Sequence, residues 1–257
     1  APSGVGDNDI FLASTTNRGT YSSEPLFMSM SDEANPVWIS ESNIAYEVDG
    51  GIWKYSLIDR KSSEIGEIGT SPVASPNGGQ LLYKQDAKLM MIDLKNDALT
   101  YIGEASEPAW SPDSKKIAYV KNGDIFVREI PGDNTKEIHV TDSMYTDKSP
   151  TRSSDSKLLA FSSTIRNNFD IWVRDLSEEE GVIHPATFGL EDELSPAFSP
   201  TESKFVYVRK MSIGSQILVA DYPPVLPPLP SSDPEDRLTA HDWPMIGRDA
   251  ANTCYIP

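Results

Sequence analysis

Along most of this chain, short runs of alternating apolar and polar residues, rich in Ile, Val, Tyr, Phe and Trp, are separated by clusters of Ser, Pro, Asp, Asn and Gly. Side chains of a strand point alternately to its two faces, so the period-two alternation predicts half-buried strands. The intervening clusters predict turns, because those residues favour bends over extended pairing. The pattern itself repeats. Its clearest copy is EPAWSPDSKKIAYVKNGDIFVREI, residues 107–130, which recurs from Ser149 and Ser195, with fainter copies from Asn35 and Ser71. The leading prolines fall at 36, 72, 108, 150 and 196, in steps of 36, 36, 42 and 46 residues. That is the length of one four-stranded propeller blade.

The columns of the repeat have physical roles. Strand one is short, running from the proline through Trp38, Trp110 or Phe198, and a Ser/Pro/Asp/Gly turn ends it. Strand two carries Tyr46, Tyr83, Tyr119, Phe161 and Tyr207 in one column, and strand three opens with Ile52, Leu89, Ile125, Ile171 and Ile217. Aromatic and β-branched residues at fixed columns are expected to bury between stacked blades. Strand three ends on an acid in four copies, Asp93, Glu129, Asp175 and Asp221, and a more variable fourth strand follows.

The last residues align with the start of this unit. PMIGRDAANTCYI, from Pro244 to Ile256, lies under PAWSPDSKKIAYV without a gap, with Tyr255 in the aromatic column. The missing half is at the other end, where DIFLAS from Asp9 matches strand three and PLFMSM from Pro25 serves as strand four. The expected fold is therefore all-β, a six-bladed β-propeller of four-stranded blades. It forms a single domain over 1–257, with blades starting near 36, 72, 108, 150, 196 and 244. The last blade is shared between the C-terminal segment (strands one and two) and the N-terminal segment (strands three and four). Ile10, Phe11, Trp243, Pro244, Ile246 and Tyr255 are the expected closure or assembly contacts. Closure would remove the free sheet edges that invite pairing with another chain.

The P-x-W-S-P-D-x-K-x-I-A-Y run followed by D-I-F-V resembles the propeller repeat of the TolB-like family. The resemblance implies a six-bladed ring, a periplasmic or extracellular setting and protein partners. No additional domain is expected ahead of the propeller pattern, so a Tol partner complex is not carried over. The W-P-M-x-x-x-D stretch from Trp243 is also similar to the opening of quinoprotein-type repeats, over about a dozen residues.

Charge narrows the function. With 39 acids against 22 bases the formal net charge is −17, which repels phosphate backbones and anionic lipid. Nucleic acid is not an expected partner. No apolar run is long enough for a membrane-spanning helix. Alanine at position 1 fits a chain trimmed of a leader, in keeping with export.

No catalytic set emerges, and no cofactor is expected. There is no G-x-S-x-G elbow, and the S-x-x-K at Ser154 to Lys157 occupies a turn of the repeat. His139 and His184 belong to fourth strands and His241 to a fourth-strand region, so their rings are expected on the outer edges of different blades. Asp49, Asp86 and Asp124 fall in equivalent loops between strands two and three, without the spacing of a dedicated calcium site. Cys254 aligns with Ala45, Ala118 and Ala160, which predicts a buried structural thiol.

Two features exceed repeat maintenance. The long strand two-to-three loops from Ser163 and Arg209 would place Arg166, Arg209 and Lys210 on one face, and Arg152 replaces an aromatic residue of strand one, where it would turn toward the central channel. These four are the expected partner-binding residues. PPVLPPLPSSDPED, residues 223–236, is a polyproline-like spacer about 40 Å long if straight, at ~3.1 Å per residue. The expected function is a non-catalytic extracytoplasmic structural or protein-interaction module, with self-assembly into a fibre by strand donation as a variant. A hydrolase or lyase using the central channel is the alternative.

Overall fold

The computed structural model describes residues 8–15, 21–26, 31–66, 68–130, 137–141, 144–177 and 181–222. The spacer and the predicted C-terminal half-blade, with Trp243, Pro244, Ile246, Tyr255, His241 and Cys254, lie outside the described residues. Among these residues the chain forms strands and no helix. A two-stranded sheet of β1 (Phe11–Thr15) and β2 (Tyr21–Pro25) comes first. The first full sheet holds β3 (Glu33–Ser40), β4 (Asn43–Val48), β5 (Gly51–Ser56) and β6 (Lys61–Gly66). The second holds β7 (Thr70–Ala74), β8 (Gln80–Gln85), β9 (Lys88–Asp93) and β10 (Leu99–Glu104). The third holds β11 (Ser106–Trp110), β12 (Lys116–Lys121), β13 (Asp124–Glu129) and β14 (Ile138–His139). The fourth holds β15 (Asp147–Arg152), β16 (Leu158–Ser163), β17 (Asp170–Asp175) and β18 (Ile183–Pro185). The fifth holds β19 (Glu193–Phe198), β20 (Lys204–Lys210) and β21 (Ser215–Asp221). Every sheet is an antiparallel meander, with strands adjacent in space in their chain order.

The predicted columns supply the core. Tyr46, Tyr83, Tyr119, Phe161 and Tyr207 are all buried, as are Ile52, Leu89, Ile125 and Ile171. Each sheet packs on the next in chain order. Ile10 meets Ile44, Tyr46 and Tyr55, while Ile39, Ala45 and Ile52 meet Leu81 and Tyr83. Leu82, Leu89 and Met91 meet Trp110, Ile117 and Tyr119. Val120, Ile125 and Val127 meet Leu159, Phe161 and Trp172, and Ala160, Ile171 and Val173 meet Phe205 and Tyr207. Burying one such side chain contributes about 1.5–3 kcal/mol, so these interfaces between sheets are the main source of stability. Ile217 departs from its column at 77% exposure; the residues predicted to cover it lie outside the described ones.

Three local expectations need correction. Strand one does not begin at the proline: β3, β7, β11, β15 and β19 begin two or three residues earlier. The residue before each proline, Asn35, Ser71, Glu107, Ser149 or Ser195, takes a left-handed φ of 49 to 54°, and the pairing register shifts there in all five sheets. This bulge absorbs the proline without ending the strand. Trp38 is exposed, whereas Trp110 is buried and donates its Nε1–H to Val73 O at 3.1 Å, linking the second and third sheets. The partner of DIFLAS is β2, in register Phe11↔Pro25 through Thr15↔Tyr21, so the N-terminal hairpin pairs earlier than PLFMSM would place it. Of that segment the described residues are Pro25, the last of β2, and Leu26, whose N–H donates to Ile10 O at 2.8 Å.

Candidate functional site

In such a meander, the strand two-to-three loops and the connections from one sheet to the next emerge at the same end. In the fourth and fifth sheets these segments are joined to one another. Thr146 N–H donates to Thr164 Oγ1 at 2.9 Å, tying the connection before β15 to the β16–β17 loop. Asn168 Nδ2 donates to the carbonyls of Gly189 (3.2 Å) and Glu191 (3.0 Å), and Phe169 N–H donates to Asp192 Oδ1 (3.1 Å), tying that loop to the connection before β19. Lys210 N–H donates to Asp192 O at 2.8 Å, which carries the linkage to the β20–β21 loop. The result is a continuous rim of loops held by side-chain amides and carboxylates.

That rim is unusually apolar. Leu190 is 92% exposed, Ile213 91% and Met144 87%, with Tyr145, Phe188 and Met211 also exposed beside them in sequence. Cations are interleaved: the Arg166 guanidinium lies 5.0 Å from the Phe188 ring centroid and Lys148 Nζ lies 3.7 Å from that of Phe169. Exposed apolar residues gathered on one loop system cost solvation, and they mark interaction surfaces more often than singly scattered ones do.

Beneath the rim lies a buried charge cluster. Glu193, fully buried, accepts from Arg209 Nε at 2.9 Å and Nη2 at 2.6 Å. Asp170 beside it accepts from Gly189 N–H at 3.1 Å. Burial pushes the Asp170 carboxyl up to about 6, with the nearby Glu193 charge adding to the effect and Arg166 opposing it.

The sequence-predicted site residues therefore separate. Arg166 and Lys210 belong to the rim. Arg209 begins there but is committed to Glu193, so it holds the fold rather than presenting a free charge. Arg152 is buried at the opposite end of β15 and donates from Nη2 to Ser156 O, its guanidinium pushed down by desolvation. It does not join the other three. Ile10 is buried against the first full sheet, while Phe11 is exposed. His139 lies exposed on the outer edge of its blade, as expected, but has specific neighbours there. Although β14 is the outer strand, the ring stacks on Phe126 (4.5 Å between centroids) and places Nε2 3.0 Å from the buried Asp124 Oδ2. Asp124 is the first residue of β13 rather than a loop residue; Asn122 is the equivalent of Asp49 and Asp86, all three with left-handed φ. The apolar rim residues were missed because they occupy the variable connections; the signal was bulky apolar side chains at positions outside any strand column.

Elsewhere, an open depression of about 380 Å³ between the second and third sheets is lined by Asn77, Asp93, Lys95, Asp113 and Lys115. Among the described residues no group of three or more His, Cys, Asp or Glu is placed to hold a metal ion, and no helix is long and apolar enough to cross a membrane.

Residues 75–149 match the family model of the dipeptidyl peptidase IV N-terminal region. A structure from Agrobacterium tumefaciens described as a TolB superposes with a TM-score of 0.62 at 16% identity, over 78% of this chain and 80% of that one. The fold is that of the TolB-like β-propellers. TolB of Acinetobacter baumannii gives a TM-score of 0.58 at 19% identity over 78% of the present propeller and 54% of its own chain. A puromycin-hydrolysing peptidase of Mycobacterium tuberculosis gives 0.63 at 12% identity, over 82% of this propeller and 42% of that chain. No curated protein sequence matches. At these identities the likeness carries the blade architecture, which proteins of different activity share.

Proposed function

We propose that this propeller is a non-catalytic, extracytoplasmic interaction module that docks a protein partner on the rim of its fourth and fifth blades. The observation that carries the reading is the run of exposed Met144, Phe188, Leu190, Met211 and Ile213 on loops that hydrogen-bond to one another. An apolar centre flanked by Arg166, Lys148 and Lys210 suits a partner segment that combines apolar and acidic side chains. The extracytoplasmic setting is supported by the TolB-type repeat and by the likeness to TolB structures. Self-assembly into a fibre by strand donation is a variant of the same reading, in which the two halves of the shared blade come from different chains.

The test is affinity capture from an extracellular and periplasmic extract with the immobilised full chain, beside a Leu190→Asp/Ile213→Asp double variant. The expected result is loss of the captured partner with an unchanged melting temperature, since surface changes are usually worth less than about 0.5 kcal/mol. Equal capture by both chains would overturn the rim as the docking site. Light scattering of the free protein reads the fibre variant directly.

A further inference from the structure

Asparagine stands directly before glycine at Asn77–Gly78 and at Asn122–Gly123. The step is chemically labile where its geometry is free, because the backbone nitrogen of an unhindered glycine can attack the side-chain amide carbon before it. The fold treats the two copies differently. In the turn between β7 and β8, Asn77 Oδ1 accepts from Ser75 Oγ at 2.8 Å and from Gly79 N–H at 2.9 Å. Gly78 N–H, on the nitrogen that would attack, donates to Ser75 O at 2.8 Å, and a Cβ on Gly78 would run into Ile39 O. Both reacting groups are held.

Asn122 and Gly123 form the two-residue turn between β12 and β13, where Lys121 pairs with Asp124. Their φ angles of 56° and 88° are left-handed, the type I′ pattern that favours Asn-Gly. Asn122 is exposed and its side chain bonds to none of the described residues; Gly123 N–H donates to none of them, and a Cβ on Gly123 would meet open space. The Asn122 side chain can therefore turn toward Gly123 N without breaking a bond. The same turn carries a structural contact. Gly123 O accepts the N–H of the buried Asp147 at 2.8 Å, which joins the third blade to the fourth.

We propose that Asn122 is a site of spontaneous deamidation and isoaspartate formation, and that the modification loosens the seam between the third and fourth blades. Gly123 N gives its proton to solvent base and attacks Asn122 Cγ; the N–Cγ bond forms, the Cγ–Nδ2 bond breaks and ammonia leaves. Water then opens the succinimide ring. Opening at Cγ gives aspartate, and opening at the main-chain carbonyl gives isoaspartate, whose backbone runs through Cβ and Cγ. Water is consumed, ammonia is released and nothing changes oxidation state. The isoaspartyl form lengthens the turn just ahead of the carbonyl that holds Asp147, and either product sets a new carboxylate beside the buried Asp124.

The full chain is aged in mildly alkaline buffer at physiological temperature, and its peptides are mapped by chromatography and mass spectrometry, with a sample aged in denaturant as reference. In the folded chain Asn122 should convert at least about tenfold faster than Asn77, since freeing the latter breaks three hydrogen bonds. In denaturant the two should convert at similar rates. The melting temperature of the folded sample should fall as Asn122 converts, whereas Asn122→Gly, which tolerates the left-handed φ, should start near the parent and keep its melting temperature on ageing. Asn122 staying intact, or converting no faster than Asn77 in the folded chain, would overturn the proposal. Conversion of Asn122 with no change in melting temperature would overturn its effect on the seam.

Discussion

Arg209 and Glu193 face each other across β20 and β19, and the guanidinium holds a carboxylate with no exposed surface through both Nε and Nη2. Removing the cation strands a buried charge, which costs about 3–5 kcal/mol. Arg209→Met should therefore lower urea-melt stability by that order, and Arg209→Met combined with Glu193→Gln should recover much of the loss. Arg209→Lys should recover less than a full charge implies, because an ammonium cannot reproduce the two-point contact.

Asp170 titrates in the opposite sense to a salt-bridged acid. Its folded value of about 6 lies above the ordinary 3.8, so between those values the folded chain holds the proton more firmly than the unfolded one. The penalty of ionising it is full above about pH 6 and absent below about 3.8. Asp170→Asn keeps an acceptor for Gly189 N–H and removes the penalty. The variant should melt above the parent at pH 7.5, with the gap narrowing as pH falls through 6; a constant gap would count against ionisation as the cause.

The turn after strand one depends on one hydroxyl. Ser111 Oγ donates to Asp113 Oδ1 at 2.6 Å and accepts Lys116 N–H at 2.8 Å; Ser153 does the same with Asp155 (2.6 Å) and Leu158 (2.9 Å). Both serines are fully buried. Ser111→Ala and Ser153→Ala should each cost about 1–3 kcal/mol, the usual range for orphaning a buried donor. Chemical denaturation of each single variant checks the value, and Ser154→Ala, an exposed neighbour, is the control.

Much of this architecture is legible in the sequence because the columns that carry it are read out by burial alone. Tyr119 and Ile125 repeat at fixed positions, and a residue that must pack between two sheets admits few substitutes. The bulge before each proline was not legible, since Asn35, Ser71, Glu107, Ser149 and Ser195 share neither size nor charge, and only the backbone reveals their common φ. Arg209 was misread for a related reason. A cation on a long loop reads as exposed until its cross-strand partner is known, and Glu193 stands 16 residues earlier in a segment whose polarity suggested surface. The rim residues belong to connections of varying length, where alignment between copies has no purchase.

The N–H groups of Glu33, Gly69, Asp147 and Glu193, where each of these blades begins, donate to the carbonyls of Asn8, Gly50, Gly123 and Phe169 in the strands before them, and this seam constrains how such a chain can be rearranged. Gly69 cannot take a larger residue, because a Cβ there would come within 2.5 Å of the Tyr83 ring, so the junction it serves accepts nothing bulkier on that side. A blade transplanted from the fourth place to the second would bring Asp147 against Gly51, an acid facing a partner that offers it nothing. Each blade is thus keyed to its neighbour by a lock on one flank and a matching tooth on the other, and permuting the blades would scramble the keys even though every blade kept its own fold.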